Sequence, residues 1–380
     1  KGVVYANNTV TRFTFYKNIF QLLRLLTTGN NCATLLQDIH YTYDPIGNIL
    51  FTNDNAQPTV IFNGQQVKPE NEYDYDAIYQ LIRATGREHI SDLHPNNTQA
   101  LRNYTQQYLY DAVGNILSMQ HIADGASWTR AYWYNSNDAH RNELGIPATA
   151  IKNNQLLQTQ TGTETPFRYQ HDIHGNMLNQ PHLSGLLWNY KDQLQQIDLG
   201  GGGKPYYVYD SNGIRVRKVI EKNGGQKEER LYFDDFELFR RKNSSGIIEK
   251  QTETLHIKDD LGRMAMVDTP SIPADGEEQV FRFIYSDRKG SSQLELNENA
   301  EKISFEEYHP FGTTSFADTS ASIRAAAKRY RYVGMERDEE SGMSYHNARY
   351  YLSWLGRWLN ADPIGIGGGS NLYRYANNDP

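Results

Sequence analysis

A chain of 380 residues can hold two or three domains or one long array of repeats. Its formal charge of -7 and mean hydropathy of -0.72 exclude a broad nucleic-acid or anionic-membrane surface without a local basic patch, and no run of about eighteen apolar residues exists to span a membrane. The single cysteine, Cys32, excludes an internal disulfide framework and a cysteine-rich zinc site, and is expected to be a buried, inert thiol.

In chain order, the start KGVVYANN lacks the charged-then-apolar layout of a signal peptide and does not begin with Met, so the chain is read as part of something longer. The first strong signal is YTYDPIGNIL at 41–50, which returns as YLYDAVGNIL at 108–117 with seven of ten positions identical. Tyrosine outnumbers phenylalanine, 27 to 14, and much of it falls in pairs at i and i+2. The pairs are Tyr41/Tyr43, Tyr73/Tyr75, Tyr108/Tyr110, Tyr132/Tyr134, Tyr207/Tyr209, Tyr330/Tyr332 and Tyr373/Tyr375, and Phe281/Phe283/Tyr285 continues the habit. Side chains alternate across a strand, so each pair lies on one face, whereas helical partners would fall at i+3 or i+4. Rings with a polar tip suit thin, half-wet sheets, and facing rings on neighbouring strands can stack.

The residues just after the pairs predict tight turns. Asp44, Asp76, Asp111 and Asp210 each succeed a Tyr; Gly47-Asn48, Gly114-Asn115 and Gly213 come a few residues later, and Gly175-Asn176 closes a variant that begins at Tyr169. Asp bonds its own backbone in a turn and Gly accepts the positive φ that tight hairpins require. Ile49, Ile116, Met177 and Ile214 then restart a strand. Each phrase is a hairpin that cannot bury its faces alone and must stack on neighbours. The uneven intervals between Tyr43, Tyr75, Tyr110 and Tyr169, with polar inserts at 87–103 and 135–145, argue against equal propeller blades and for a continuous, coiling sheet. Segments 230–242 and 293–308 extend the strand-turn-strand habit, and only SASIRAAAKR at 320–329 suggests a short helix.

Other motifs carry little chemistry. IRVRK at 214–218 alternates as a strand does. GGGGKP at 200–205 has Pro205 where a phosphate-binding loop needs Ser or Thr, so it reads as a hairpin tip; GIGGGS at 365–370 is turn material before a strand NLYRY. His171 and His174 serve a degraded phrase, and the acidic DDFE (234–237) and ERDEE (336–340) lack calcium-loop spacing. No metal ligand set and no cofactor are expected.

These residues carry a resemblance. The Tyr-Asp hairpins with Gly-Asn turns resemble the Rhs or YD-repeat family, and the stretches 253–269, 305–316, 328–365 and 371–380 resemble its Rhs-associated core, above all that of the B and C components of insecticidal Tc toxin complexes. The resemblance covers essentially the whole chain, including YDAIYQLIRATGREH at 75–89. It implies an all-β fold in which irregular hairpins stack into a spiralling antiparallel sheet forming part of a hollow shell, or cocoon. Residues 1–312 would be the repeat region and 313–380 the core that ends the shell. The implied partners are a C-terminal toxin domain as cargo, an upstream or partner B-component-like shell chain, and a delivery component, in a secreted bacterial toxin complex; nucleic acid is not among them.

The family also implies self-cleavage just after the core by two aspartates and an arginine. Two close carboxylates cannot both ionise easily, so one stays protonated as acid while the other activates water. By motif, Asp362 in LNADPIG is the first aspartate and Arg349 in NARYY the arginine. The second aspartate belongs to a later stretch, and Asp379 sits too early in the motif to be it, so this polypeptide is expected not to cut itself. The plain readings are a turn-forming Asp before Pro for Asp362 and a strand-face charge for Arg349. A different class of function is a cell-surface or carbohydrate-binding adhesion module, with exposed Tyr ladders stacking on sugars. A free-standing metabolic enzyme is not expected, because no nucleophile or cofactor constellation appears.

Overall fold

A computed structural model describes residues 1–29, 33–91, 97–260, 262–273, 278–320 and 327–380. Cys32 and most of the segment read as a helix at 320–329 lie outside the described residues.

Two sheets of twelve strands each, both antiparallel and ordered as a meander, hold most of the strands among the described residues. The first runs from Gly2–Val4 to Phe167–Arg168, the second from Gly185–Trp188 to Thr314–Thr319. A four-stranded sheet from Glu336–Arg337 to Arg357–Trp358 comes next, and the hairpin Val60–Phe62/Gln65–Val67 stands apart. Neither large sheet closes into a barrel. At the end of each phrase the register slips by one residue at the second Tyr: between Thr42 and Tyr43, Asp74 and Tyr75, Leu109 and Tyr110, Trp133 and Tyr134, and Val208 and Tyr209. Such bulges sharpen local twist, which is how an uneven array keeps coiling.

The i, i+2 rings share a face, as their spacing predicts. Tyr108 and Tyr110 stack with centroids 6.5 Å apart, and Tyr132 and Tyr134 at 6.4 Å with planes only 3° apart. Two pairs depart from the strand reading. Tyr330/Tyr332 and Tyr373/Tyr375 lie outside the strands, Tyr332 opening the 3-10 helix Tyr332–Gly334, and only Tyr330 and Arg374 make isolated bridges there. Their rings instead pack inward: Tyr375 stacks on Tyr351 at 3.9 Å. Consequently NLYRY is not a strand.

The polar inserts also behave differently from loops. Strands Leu81–His89 and Leu101–Tyr110 extend into 87–103, and Arg87, Glu88 and His89 are buried there. Each tolerates burial through a partner: Arg87 makes a bidentate pair with Glu307 of the second sheet, at 2.6 Å (Nη2–Oε1) and 2.9 Å (Nε–Oε2), Glu88 is held by Arg102, and His89 bonds Ser91. In the other insert, Asp138–Glu143 forms the α-helix that periodicity missed. Asn137 caps it by accepting from the amides of Ala139 and His140, and Arg141 is buried against loop carbonyls of Pro147 and Ala150.

Candidate functional site

The phrase builds one local device repeatedly. Asp111 Oδ1 accepts from the amides of Val113 (3.0 Å) and Asn115 (2.8 Å), while its Oδ2 accepts from Asn115 Nδ2 (2.8 Å). Asp44, with Ile46 and Asn48, and Asp172, with His174 and Asn176, repeat the pattern; Asp76 makes it with Gln80 in place of Asn. Asn189, Asn243 and Asn297 do the same in degraded copies. The aspartates of the repeat are thus turn anchors, with their lone pairs occupied by backbone amides.

The rim made by these turns is covered by the last residues of the chain. Asn371 Nδ2 donates to Asn115 Oδ1 (2.9 Å) and to the carbonyl of Val113 (3.2 Å). Asn378 Nδ2 donates to Gln80 Oε1 (2.8 Å) and to Gly114 O (2.9 Å), and the Tyr373 hydroxyl to Gly175 O (3.0 Å). Gly114 is required twice over: its φ is +79°, and a Cβ there would stand 2.8 Å from Arg374. The strap 371–380 is therefore fitted to the turns of the first sheet.

Upstream of the strap, the four-stranded sheet is bound to the second large sheet by charge. Arg215 pairs with Glu336 (2.7 Å) and Asp338 (2.7 Å), and Lys218 with Asp338 (2.7 Å), all buried. The Arg215 guanidinium also lies over the Tyr345 ring at 4.4 Å. IRVRK and ERDEE, unremarkable as separate motifs, thus meet as one buried network. Burial raises the Glu336 carboxyl, but Arg215, Arg329 and Lys218 outweigh it and bring its pKa down to about 2.

Between these two attachments sit the sequence-nominated residues. Arg349 Nη2 lies 2.9 Å from Asp362 Oδ2, and the guanidinium lies over Trp358 at 4.1 Å. Asp362 Oδ1 accepts from the Ile364 amide (3.1 Å), so the turn role and the ion pair coexist in one side chain. Burial lowers the Arg349 pKa, with Asp362 opposing it. Asp379 keeps other company, beside Tyr75 and Lys289. His171 is half-buried with its Nε2 shielded from solvent, and desolvation with nearby Arg357 lowers its pKa to about 3; His174 instead pairs with Asp192 at 2.7 Å. Sequence reading missed His346, packed against Trp358 at 5.1 Å, whose pKa burial and Arg349 lower to about 4.

It also missed a cluster at the seam of the two sheets, where Glu88, His121 and His309 bring their ligand atoms within 4.8 Å of one another. No spacing signal could have found it, since the three positions belong to different strands and a turn.

No protein-family model matches the chain. The toxin subunit YenC2 of Yersinia entomophaga is 31% identical over 99% of this chain and 40% of its own length. The solved TcdB2-TccC3 structure matches with a TM-score of 0.85 at 29% identity, over 100% of this chain and 18% of that one. The chain belongs to the Rhs/YD-repeat family, on its Tc toxin branch. As a member of that family it has the Rhs shell fold, with large open antiparallel sheets. A more distant relative is the double-stranded DNA deaminase toxin A of Burkholderia cenocepacia, 23% identical over 88% of this chain and 23% of its own length. TcdB2-TccC3 has also been solved without its hypervariable C-terminal region. The chain thus spans well under half of the relatives it matches.

Proposed function

We propose that this chain is a wall segment of a secreted toxin shell that encloses a C-terminal effector until delivery, working with a B-component-like shell chain. The observation that carries the reading is the strap 371–380 seated along the hairpin turns, in a fold shared over its whole length with TcdB2-TccC3. The strap lays the chain along the rim that the turns of the first sheet form. Relatives with differently named activities match through this same segment while it makes up only part of each, which supports a constant wall with variable cargo. The adhesion reading draws little support, since Tyr41, Tyr108, Tyr132, Tyr134 and Tyr207 are buried and offer no face to a sugar.

Asp362 and Arg349 are assigned half of an aspartic self-cleavage site, with the arginine fixing the carboxylate that would activate water. The test uses the complete polypeptide with its partner chain, treated with a broad protease. The C-terminal part is expected to resist digestion inside the particle, to be released as a discrete fragment from the wild type, and to stay covalently joined in Asp362→Asn. Digestion of that part as fast in the particle as alone would overturn encapsulation. Unchanged fragment release in Asp362→Asn would overturn the site.

A further inference from the structure

The seam cluster has the construction of a metal site. Glu88 comes from strand Leu81–His89 and His121 from Ile116–Ala123, both of the first sheet, while His309 succeeds strand Lys302–Tyr308 of the second. Glu88 Oε2 lies 3.1 Å from His121 Nε2 and 3.0 Å from His309 Nε2. A tetrahedral zinc at about 2.0–2.1 Å from each ligand needs ligand atoms about 3.3 Å apart, so these two edges are close to the required triangle. Glu88 Oε1 accepts from Arg102 Nε at 2.7 Å and also lies 3.2 Å from His121 Nε2, so Oε2 is the oxygen that faces both rings.

The surrounding residues suit the same role. Strand Leu101–Tyr110 lies between the ligands' strands and turns Arg102, Tyr104 and Gln106 to one face; Arg102 stands opposite Glu88 in register and Gln106 opposite His121. Gln106 reaches His121 Nδ1 (3.3 Å) and Thr313 Oγ1 reaches His309 Nδ1 (3.0 Å). A hydroxyl can rotate, and the Gln106 amide can turn once the Tyr108 hydroxyl, which donates to its Oε1, accepts from its Nε2 instead, so each outer nitrogen can be satisfied in either tautomer of its ring. Both rings can therefore move their proton to Nδ1 and offer Nε2. Tyr104 packs on both imidazoles, at 5.7 Å and 4.6 Å, and Trp128 stacks on His121 at 5.3 Å, which fixes the ring planes. In the bland alternative the trio is only a hydrogen-bonded clamp with Arg102 as its counter-charge.

We infer that Glu88 Oε2, His121 Nε2 and His309 Nε2 bind a zinc-class divalent cation that staples the two large sheets together, a water filling the fourth position. This inference does not depend on encapsulation. The chelator-treated complete polypeptide, assembled with its partner chain, is titrated with zinc chloride by calorimetry and with cobalt(II) by visible absorption. One saturable equivalent, the d–d band of four-coordinate cobalt and a rise in Tm with zinc are expected. His309→Gln, on a turn, should weaken zinc binding at least tenfold and abolish the cobalt band, as should Glu88→Gln, while His174→Ala leaves both intact. The absence of saturable binding by the wild type, a six-coordinate cobalt spectrum, or unchanged affinity in His309→Gln would each overturn the inference. Should Glu88→Gln fail to fold, the wild-type spectrum and His309→Gln still decide.

Discussion

The hydroxyl of Tyr110 donates to the carbonyl of Leu81 at 2.6 Å, and the same bond returns one hairpin on, from Tyr134 to Ile116 at 3.0 Å. Tyr43 reaches Leu22, Tyr75 reaches Ile49, Tyr209 reaches Leu194 and Tyr308 reaches Ser292 in the same way. The acceptor is, in most copies, the residue that resumes the strand after the preceding turn. The second Tyr of each pair is thus a tie between one phrase and the one before it, which explains why the phrase recurs as a unit. Tyr110→Phe leaves that carbonyl without its partner and should cost about 1–3 kcal/mol. Urea unfolding measures it, with the exposed Tyr190→Phe as a control that should lie within about 0.5 kcal/mol of wild type. Equal stability of the two variants would refute the tie.

The turn anchor separates shape from charge. Asp111→Asn keeps an oxygen for the amides of Val113 and Asn115, as Asn189 and Asn243 do in their own turns. Asp111→Ala removes all three bonds. Denaturation midpoints should show the Ala variant about 2–3 kcal/mol less stable than wild type and the Asn variant within about 1 kcal/mol.

Gly114 tests whether strap and turn are fitted to one another. Gly114→Ala meets both a left-handed backbone and Arg374, and should cost more than about 1 kcal/mol. Arg374→Ala removes the collision but not the backbone strain, so a double-mutant cycle should return a favourable coupling. Strict additivity would show that the strap yields freely at this point.

Acid should weaken the fold through two half-buried imidazoles whose Nε2 atoms are shielded from solvent. His346 and His171 stay neutral in the folded chain down to pH about 4 and about 3, whereas unfolded histidine protonates near 6.5. Their stabilising effect is complete above pH 6.5 and is lost as pH falls through each folded pKa, at up to about 1.4 kcal/mol per pH unit for each ring. Urea midpoints between pH 6.5 and 4 should fall steeply in wild type and less steeply in His346→Gln; parallel slopes would rule the ring out.

Asp54 has the opposite sense. Burial raises its pKa to about 6 despite amide bonds from Asp38 and Ala56. The folded chain therefore holds its proton more tightly than the unfolded one, and stability attributable to it is lost as pH rises from about 4 through 6. Asp54→Asn retains both acceptor bonds and should be more stable at pH 7, by up to about 3 kcal/mol, with no gain at pH 4. A loss at pH 7 would contradict this.

Local order in this chain is written within a few residues. An Asp bonds amides two and four positions on, a Gly takes the positive φ, and rings at i and i+2 share a strand face, so hairpins and their stacking were legible from spacing alone. The pair Asp362 and Arg349 was nominated by family motif, and the fold brings the two side chains into contact. Contacts across long separations emerged only from the folded chain: Arg215 with Glu336, 121 positions apart, Glu88 with His309, 221 apart, and Asn115 with Asn371, 256 apart. Polarity looked like loop at 87–103 because burial of a charge depends on its partner, and the partner lay on another sheet. Tyr330/Tyr332 and Tyr373/Tyr375 carried strand spacing without strands for a related reason, since packing onto distant rings outweighed a preference that two residues alone express weakly.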